Sequence, residues 1–191
     1  VYHGLAGQFF LRDIPHVLKV RILASMEDRI VEVMRRDNIS QRDAEHILRK
    51  DDEERRRWGL KLYGVDTWDS RLYDIVLLID KITVDDAVDL IVETVKKPIF
   101  QTTVASQGIL NNQLLCSKIN AMLVNYSLMI EVQVKDGCVT LGNVGEVLRS
   151  DATLRTKIET MIKELDGVKE INFVEKFRGQ SDHVNPFHNI G

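Results

Sequence analysis

The chain has 191 residues, of which 44% are hydrophobic and 29% charged, with a formal net charge of −3. That profile suits one large globular domain or two small ones, and its near-neutral balance excludes a whole-surface case for nucleic acid or anionic lipid. No window approaches eighteen uninterrupted apolar residues, so neither a membrane-spanning helix nor a membrane partner is expected. The first residues, VYHGLAGQFFLRD, have no basic n-region and do not read as a signal peptide. They also lack an initiator Met, so a piece of a longer protein is expected. Cys116 and Cys138 are isolated and lack metal-ligand spacing. A reduced, cytoplasmic setting follows, with both thiols as small core residues.

HVLKVRILA (16–24) is β-branched and apolar and predicts a buried strand. The next segment, MEDRIVEVMRR, puts Met26, Ile30, Val33 and Met34 on one helical face. Ser40 and Asp43 form an S-x-x-D start signal for a further helix. Its apolar stripe of Ala44, Ile47 and Leu48 soon gives way to the charged run RKDDEERRRWGLKLYGVD (49–66). YDIVLLID (73–80) predicts a second buried strand. TVDDAVDLIVETVKK follows, capped by Thr83 with Asp86 three residues on, and with Ala87, Leu90, Ile91 and Val95 turned inward. Strand, helix, charged insertion, strand and helix make the rhythm of a parallel α/β sheet.

Pro98 ends that rhythm, and 100–112, with Gly108 and two Asn, predicts a linker. LLCSKINAMLVNY reads as a helix with Leu115, Ile119, Met122 and Leu123 on one face. MIEVQV, KDG and CVTLGNV predict a hairpin with Ile130, Val132, Val134, Val139 and Leu141 in the core. DATLRTKIETMIKEL is an amphipathic helix with Asp151 near its start, and GVKEINFVEKF supplies a closing strand. The order α-β-β-α-β predicts a small two-layer sandwich. The tail GQSDHVNPFHNIG has little to bury, and its His183 and His188 read better as part of a loose end than as a metal pair.

Two resemblances arise from these segments. HVLKVRILASMEDRI, the run Asp52-x-x-Arg55-x-x-Trp58 with Leu62-Tyr63-Gly64, and LYDIVLLIDKITVDDAVDLI resemble the C-terminal part of the bacterial cytidylate-kinase-like family of P-loop phosphotransferases, over residues 1 to about 97. Asp136-Gly137-x-Val139-x-Leu141-Gly142 and Asp166-Gly167-Val168 resemble the BON domain, over about 112 to 176. Together they imply α/β for 1–99, a partial P-loop kinase-like parallel sheet with a helical lid. They imply a linker at 100–112, a small α+β BON-like domain at 113–177 and a flexible tail at 178–191.

The first resemblance implies a nucleotide phosphotransferase acting on a nucleoside monophosphate, with ATP and Mg²⁺ as requirements of a complete parent and nucleotide as its partner. The phosphate-binding run G-x-x-x-x-G-K-[ST] occurs nowhere in the chain. Leu5 follows Gly4 where relatives of this family usually carry an arginine. No catalytic or metal residue and no cofactor is therefore expected in this chain. As lid residues for phosphate, the resemblance points to Arg49, Arg55, Arg56, Arg57 and Lys61, and for base stacking to Trp58 and Tyr63.

Each of these has a plainer reading. Asp51 with Arg55, Asp52 with Arg56 and Glu53 with Arg57 are all i,i+4 pairs of a solvated helix. Trp58, Trp68, Tyr63 and Tyr73 also suit packing of the lid against the sheet. Asp66, Asp69, Asp74 and Asp80 suit loop capping better than Mg²⁺. Lys118, Lys135, Lys157 and Lys163 read as a solvated face, since a polybasic surface needs an excess of charge.

The competing function is non-enzymatic: a sensor or interaction protein with a degenerate kinase scaffold and a ligand- or phospholipid-binding BON-like domain. Open strand edges of an incomplete sheet predict a homo-oligomer.

Overall fold

The computed structural model describes residues 1–126, 130–143, 151–175 and 177. The expected tail, with His183 and His188, lies outside the described residues. The chain divides into two compact units after Gln101.

The first unit runs α1 (Gly7–Phe10), β1 (Val20–Ala24), α2 (Met26–Asp37), α3 (Gln41–Tyr63), β2 (Ile75–Ile79) and α4 (Val84–Val95). β1 and β2 pair in parallel, Val20 beside Ile75 and Ala24 beside Ile79. The expected alternation of strand and helix is there, but the buried strand read over 16–24 shortens to five residues. Neither strand is fully buried: Ile22, Val76 and Leu78 are exposed. A parallel sheet is dry only when helices cover both faces. Among the described residues this sheet has two strands, so each has an unpaired edge.

α2 and α3 form a helical pair because each start is capped by its own sequence. Ser25 Oγ accepts from the Asp28 amide and Ser40 Oγ from the Asp43 amide, as the S-x-x-D signal requires. Between them, Asn38 takes a left-handed conformation that stops α2. Ile30, Val33, Ala44 and Leu48 are buried together, with Met26, Met34 and Ile39 packed around them.

α4 starts at a full capping box. Thr83 Oγ1 accepts from the Asp86 amide, and Asp86 Oδ2 accepts from the Thr83 amide. Its expected inward face is only partly inward. Ala87 is buried, but Leu90 and Val95 are exposed, because a two-stranded sheet is too narrow to cover the helix's apolar arc.

The second unit runs α5 (Val104–Leu123), β3 (Glu131–Lys135), β4 (Cys138–Gly142), α6 (Ala152–Lys163) and β5 (Glu170–Phe173). β3 and β4 are antiparallel and β5 joins β4 in parallel, giving strand order β3-β4-β5. The hairpin closes on Asp136 and Gly137, both at positive φ (52° and 85°), the twist that suits a two-residue turn. Leu115, Ile119, Leu123, Val132, Val139, Leu141, Ile158 and Ile162 form its core, with Ile130 and Val134 packed against it.

The helix-strand-strand-helix-strand order is the one read in the sequence. The linker expected at 100–112 is not: after Pro98–Phe100, a short 3-10 turn, helix begins at Val104. A capping box sets that start, with Thr103 Oγ1 accepting from the Ser106 amide and Ser106 Oγ from the Thr103 amide. Both cysteines are free and half-buried. Cys116 packs on the core and donates to the Val132 carbonyl at 3.3 Å, while Cys138 lies beside Asn172 Nδ2 at 3.3 Å.

Candidate functional site: the charged half of the long helix

α3 carries every residue singled out as a lid or stacking group. Ser40 opens it, and Gly64 closes it at φ 67°, a left-handed cap that suits glycine.

Arg49 pairs with Glu45 at 2.7 Å and Arg57 with Glu53 at 2.9 Å, each one turn back. Two of the three expected i,i+4 pairs do not form. Asp52 turns to Arg29 on α2 instead of Arg56, through two bonds of 2.7 and 2.8 Å. Arg56 reaches past its own helix, with Nε 2.9 Å from Asp66 and its guanidinium 5.2 Å from the centre of the Trp68 ring. Asp51 and Arg55 make no ion pair. For Asp52 and Arg56 the reason is energetic: an exposed i,i+4 pair is worth about 0.2–0.5 kcal/mol, less than a half-buried, two-pronged or ring-backed partner. Arg55 and Lys61 are exposed and have no ion-pair or hydrogen-bond partner among the described residues.

The aromatic residues are engaged by one another. Tyr63 stacks on Phe9, ring centres 4.2 Å apart, and meets Trp58 edge-on at 5.3 Å and Phe10 edge-on at 5.9 Å. Phe9, Val65 and Leu72 are buried beside them. Gly59 allows the loop 65–67 to lie against this part of α3: a Cβ there would meet Thr67 Cγ2 at 2.5 Å and the Val65 carbonyl at 3.1 Å.

Phe9 and Arg21 belong to this constellation, and the sequence reading passed over both. Arg21 Nη1 donates to the Thr67 carbonyl at 3.2 Å and sits 5.7 Å from the Tyr73 ring centre. Tyr73 donates its hydroxyl to the same carbonyl at 3.2 Å, and burial pushes its phenol above its ordinary range. The signals available were the Phe9-Phe10 doublet and a lone arginine inside an apolar strand.

The aspartates tie loops. Asp66 accepts from the Trp68 amide at 2.9 Å, Asp69 from the Arg71 amide at 2.9 Å, and Asp74 from the Lys19 amide at 2.7 Å. Hydrogen bonds from Arg71 hold the Asp69 carboxyl below the usual carboxylate range. Among the described residues, no group of three or more His, Cys, Asp or Glu could hold a metal ion. The groove at the start of α4 is lined by Lys81, Ile82, Asp86, Asp89, Leu90 and Glu93. Three carboxylates against one ammonium repel a phosphate rather than seat it.

These observations give a charged helix tied to α2 and to the loop after it, with an aromatic cluster at its C-terminal end. Residues 1–81 match the sequence model of the cytidylate kinase-like family. The kinase-like match takes in α3, the loop aspartates and β2 and stops at Lys81, short of α4, so the resemblance read to residue 97 is carried for 1–81. A solved structure of an uncharacterized protein from Eubacterium ventriosum ATCC 27560 is 29% identical, with a TM-score of 0.42, over 44% of this chain and 48% of that one. The chain thus spans about half the length of that relative. No curated protein matches.

ATP and Mg²⁺, which the kinase-like resemblance implies, do not fit the residues present. The chain has no glycine-rich run ending in Lys and Ser or Thr, and Asp66, Asp69 and Asp74 are already spent on backbone amides. No helix among the described residues is long and apolar enough to cross a membrane. In the second unit Lys118, Lys135, Lys157 and Lys163 are exposed on three different elements, and Lys157 lies 5.6 Å from the Tyr126 ring centre.

Proposed function

We propose that this chain is the C-terminal region of a cytidylate kinase-like nucleotide phosphotransferase, joined to a BON-like binding module, and that it does not transfer phosphate by itself. The observation that carries this reading is the match over residues 1–81. In this reading α3 acts as the lid, and Arg55 and Lys61, exposed and unpaired among the described residues, are the lid cations open to a phosphate. A phosphoryl group needs a cradle of amides and a lysine before a lid can act on it. The chain has no such run, so the reaction belongs to a complete parent, which would bring ATP and Mg²⁺ with it. The second unit supports the module reading through its helix-strand-strand-helix-strand order and the Asp136-Gly137 turn.

Titration calorimetry with Mg-ATP and with CMP tests the proposal. The expected result is heat of dilution only, with no ADP formed on long incubation. Tight, magnesium-dependent binding that Arg55→Ala abolishes would overturn it.

A further inference from the structure

α4 carries a second apolar face. Val84, Val88, Val92 and Val95 remain between 41% and 64% exposed. At about 100° per residue they fall within an arc of roughly 80°, beside the side on which Ala87 is buried. Four valines on adjacent turns form a continuous stripe, which a soluble helix ordinarily covers.

Its flanks say what covers it. Asp85 and Lys96 lie on the same side of the stripe, eleven positions and therefore about three turns apart. The acidic residues Asp85, Asp86, Asp89 and Glu93 lie on the helix, and the basic pair follows at its C-terminal end, Lys96 as the C-cap and Lys97 just beyond it. We propose that α4 docks against α4 of a second copy of this chain, antiparallel about a two-fold axis near the helix centre.

That arrangement sets Val84 against the partner's Val95 and Val88 against its Val92. It also brings Asp85 beside the partner's Lys96 twice, on one side of the seam, as an isologous interface requires. The helix dipoles then oppose one another. Lys96 is held by Glu93 at 2.7 Å, an exposed pair that exchanges partners at little cost. A parallel arrangement places Asp85 and the partner's Lys96 at opposite ends. The surface is a helix face, distinct from the open strand edges. An interface of this size belongs to the weak, concentration-dependent class.

Light scattering over a concentration series tests the proposal, with circular dichroism confirming that each variant is folded. Wild-type chain should rise toward twice the monomer mass. Val88→Glu should weaken association by about tenfold, while Val31→Glu, at an exposed valine on α2, should leave it intact. Asp85→Lys should weaken it, and Asp85→Lys with Lys96→Asp should restore it. A wild-type mass that stays monomeric throughout, or a Val88→Glu variant that associates like wild type, overturns the proposal. For direction, Val84→Cys chains are mixed with Val95→Cys chains and oxidised, and the disulfides are mapped by peptide mass. Mixed 84–95 crosslinks support the antiparallel pair; crosslinks formed equally between like chains overturn it.

Discussion

Arg29 on α2 and Asp52 on α3 meet in a two-pronged ion pair, Nη1 to Oδ2 at 2.7 Å and Nη2 to Oδ1 at 2.8 Å. Their side chains are only 27% and 22% exposed, so this is the least solvated pair on the charged helix. It lies beyond the apolar contacts of Ile30 and Leu48 and fixes the register of α3 on α2. Asp52→Ala leaves a half-buried guanidinium without its acceptor. The expected cost is about 1–2 kcal/mol in urea unfolding. Arg57→Ala, which breaks only the exposed Glu53 pair, should cost less than about 0.5 kcal/mol.

The start of α4 predicts a pH dependence. Hydrogen bonds from Thr83 hold the Asp86 carboxyl below its ordinary range. A carboxyl depressed in the folded state stabilises fully above its unfolded pKa of about 3.9 and loses that contribution as pH falls through the lower folded value. Wild type and Asp86→Asn should therefore differ most at neutral pH and converge in acid below pH 4 or so. Thr83→Ala should destabilise by about 1 kcal/mol at pH 7. Chemical unfolding at a series of pH values reads both effects.

Two glycines separate strain from crowding. Gly137 has φ 85° in the hairpin turn, and a Cβ there would meet the Gly167 carbonyl at 2.5 Å. Gly137→Ala should cost about 1–3 kcal/mol through both effects. Gly59 is helical, so alanine there gains about 1 kcal/mol of helix propensity. Contact with the Val65 carbonyl and Thr67 opposes that gain. Gly59→Ala should therefore fall short of the usual stabilisation, and Gly59→Ala with Thr67→Ser should recover part of it. Thermal unfolding measures all three.

Burial pushes the Cys116 thiol above its ordinary range, the side-chain amide of Asn120 opposing it in part. The thiolate is the reactive form. In a Cys138→Ser background, Cys116 should react with an aromatic disulfide more slowly in the native protein than in urea. The gap should narrow as pH rises beyond the ordinary thiol value of about 8.5. Equal rates at neutral pH in both states would contradict the packing of Cys116 on the core.

What the sequence disclosed follows from how local each interaction is. Ser40 with Asp43, Thr83 with Asp86 and the Asp136-Gly137 turn were legible because each signal and its partner lie within three residues. The core of the second unit was legible because Leu115, Ile119 and Leu123 keep helical spacing while Val132, Val139 and Leu141 keep strand alternation. Helix over 104–112 was missed because Gly108 and the asparagines read as punctuation, while the Thr103–Ser106 box that overrides them uses serine in place of the usual acid. Leu90 and Val95 were placed inside because periodicity reports which side of a helix is apolar but not what covers it. Within the candidate site, Asp52 and Arg56 choose partners 23 and 10 positions away. Spacing along α3 holds no trace of either choice.

The strand pair of the first unit has a kinetic consequence. Every rung from Val20–Ile75 to Ala24–Ile79 joins positions about 55 apart, so the excursion through α2 and α3 must be gathered before any rung can close. Lys135 and Cys138, by contrast, face each other across a two-residue turn. Closure entropy and contact order together place the helical pair and the distal hairpin early in refolding, and the parallel ladder late. Its two apolar strands are then the last segments to be sheltered as the chain collapses, which is where a nascent chain would be most prone to aggregate.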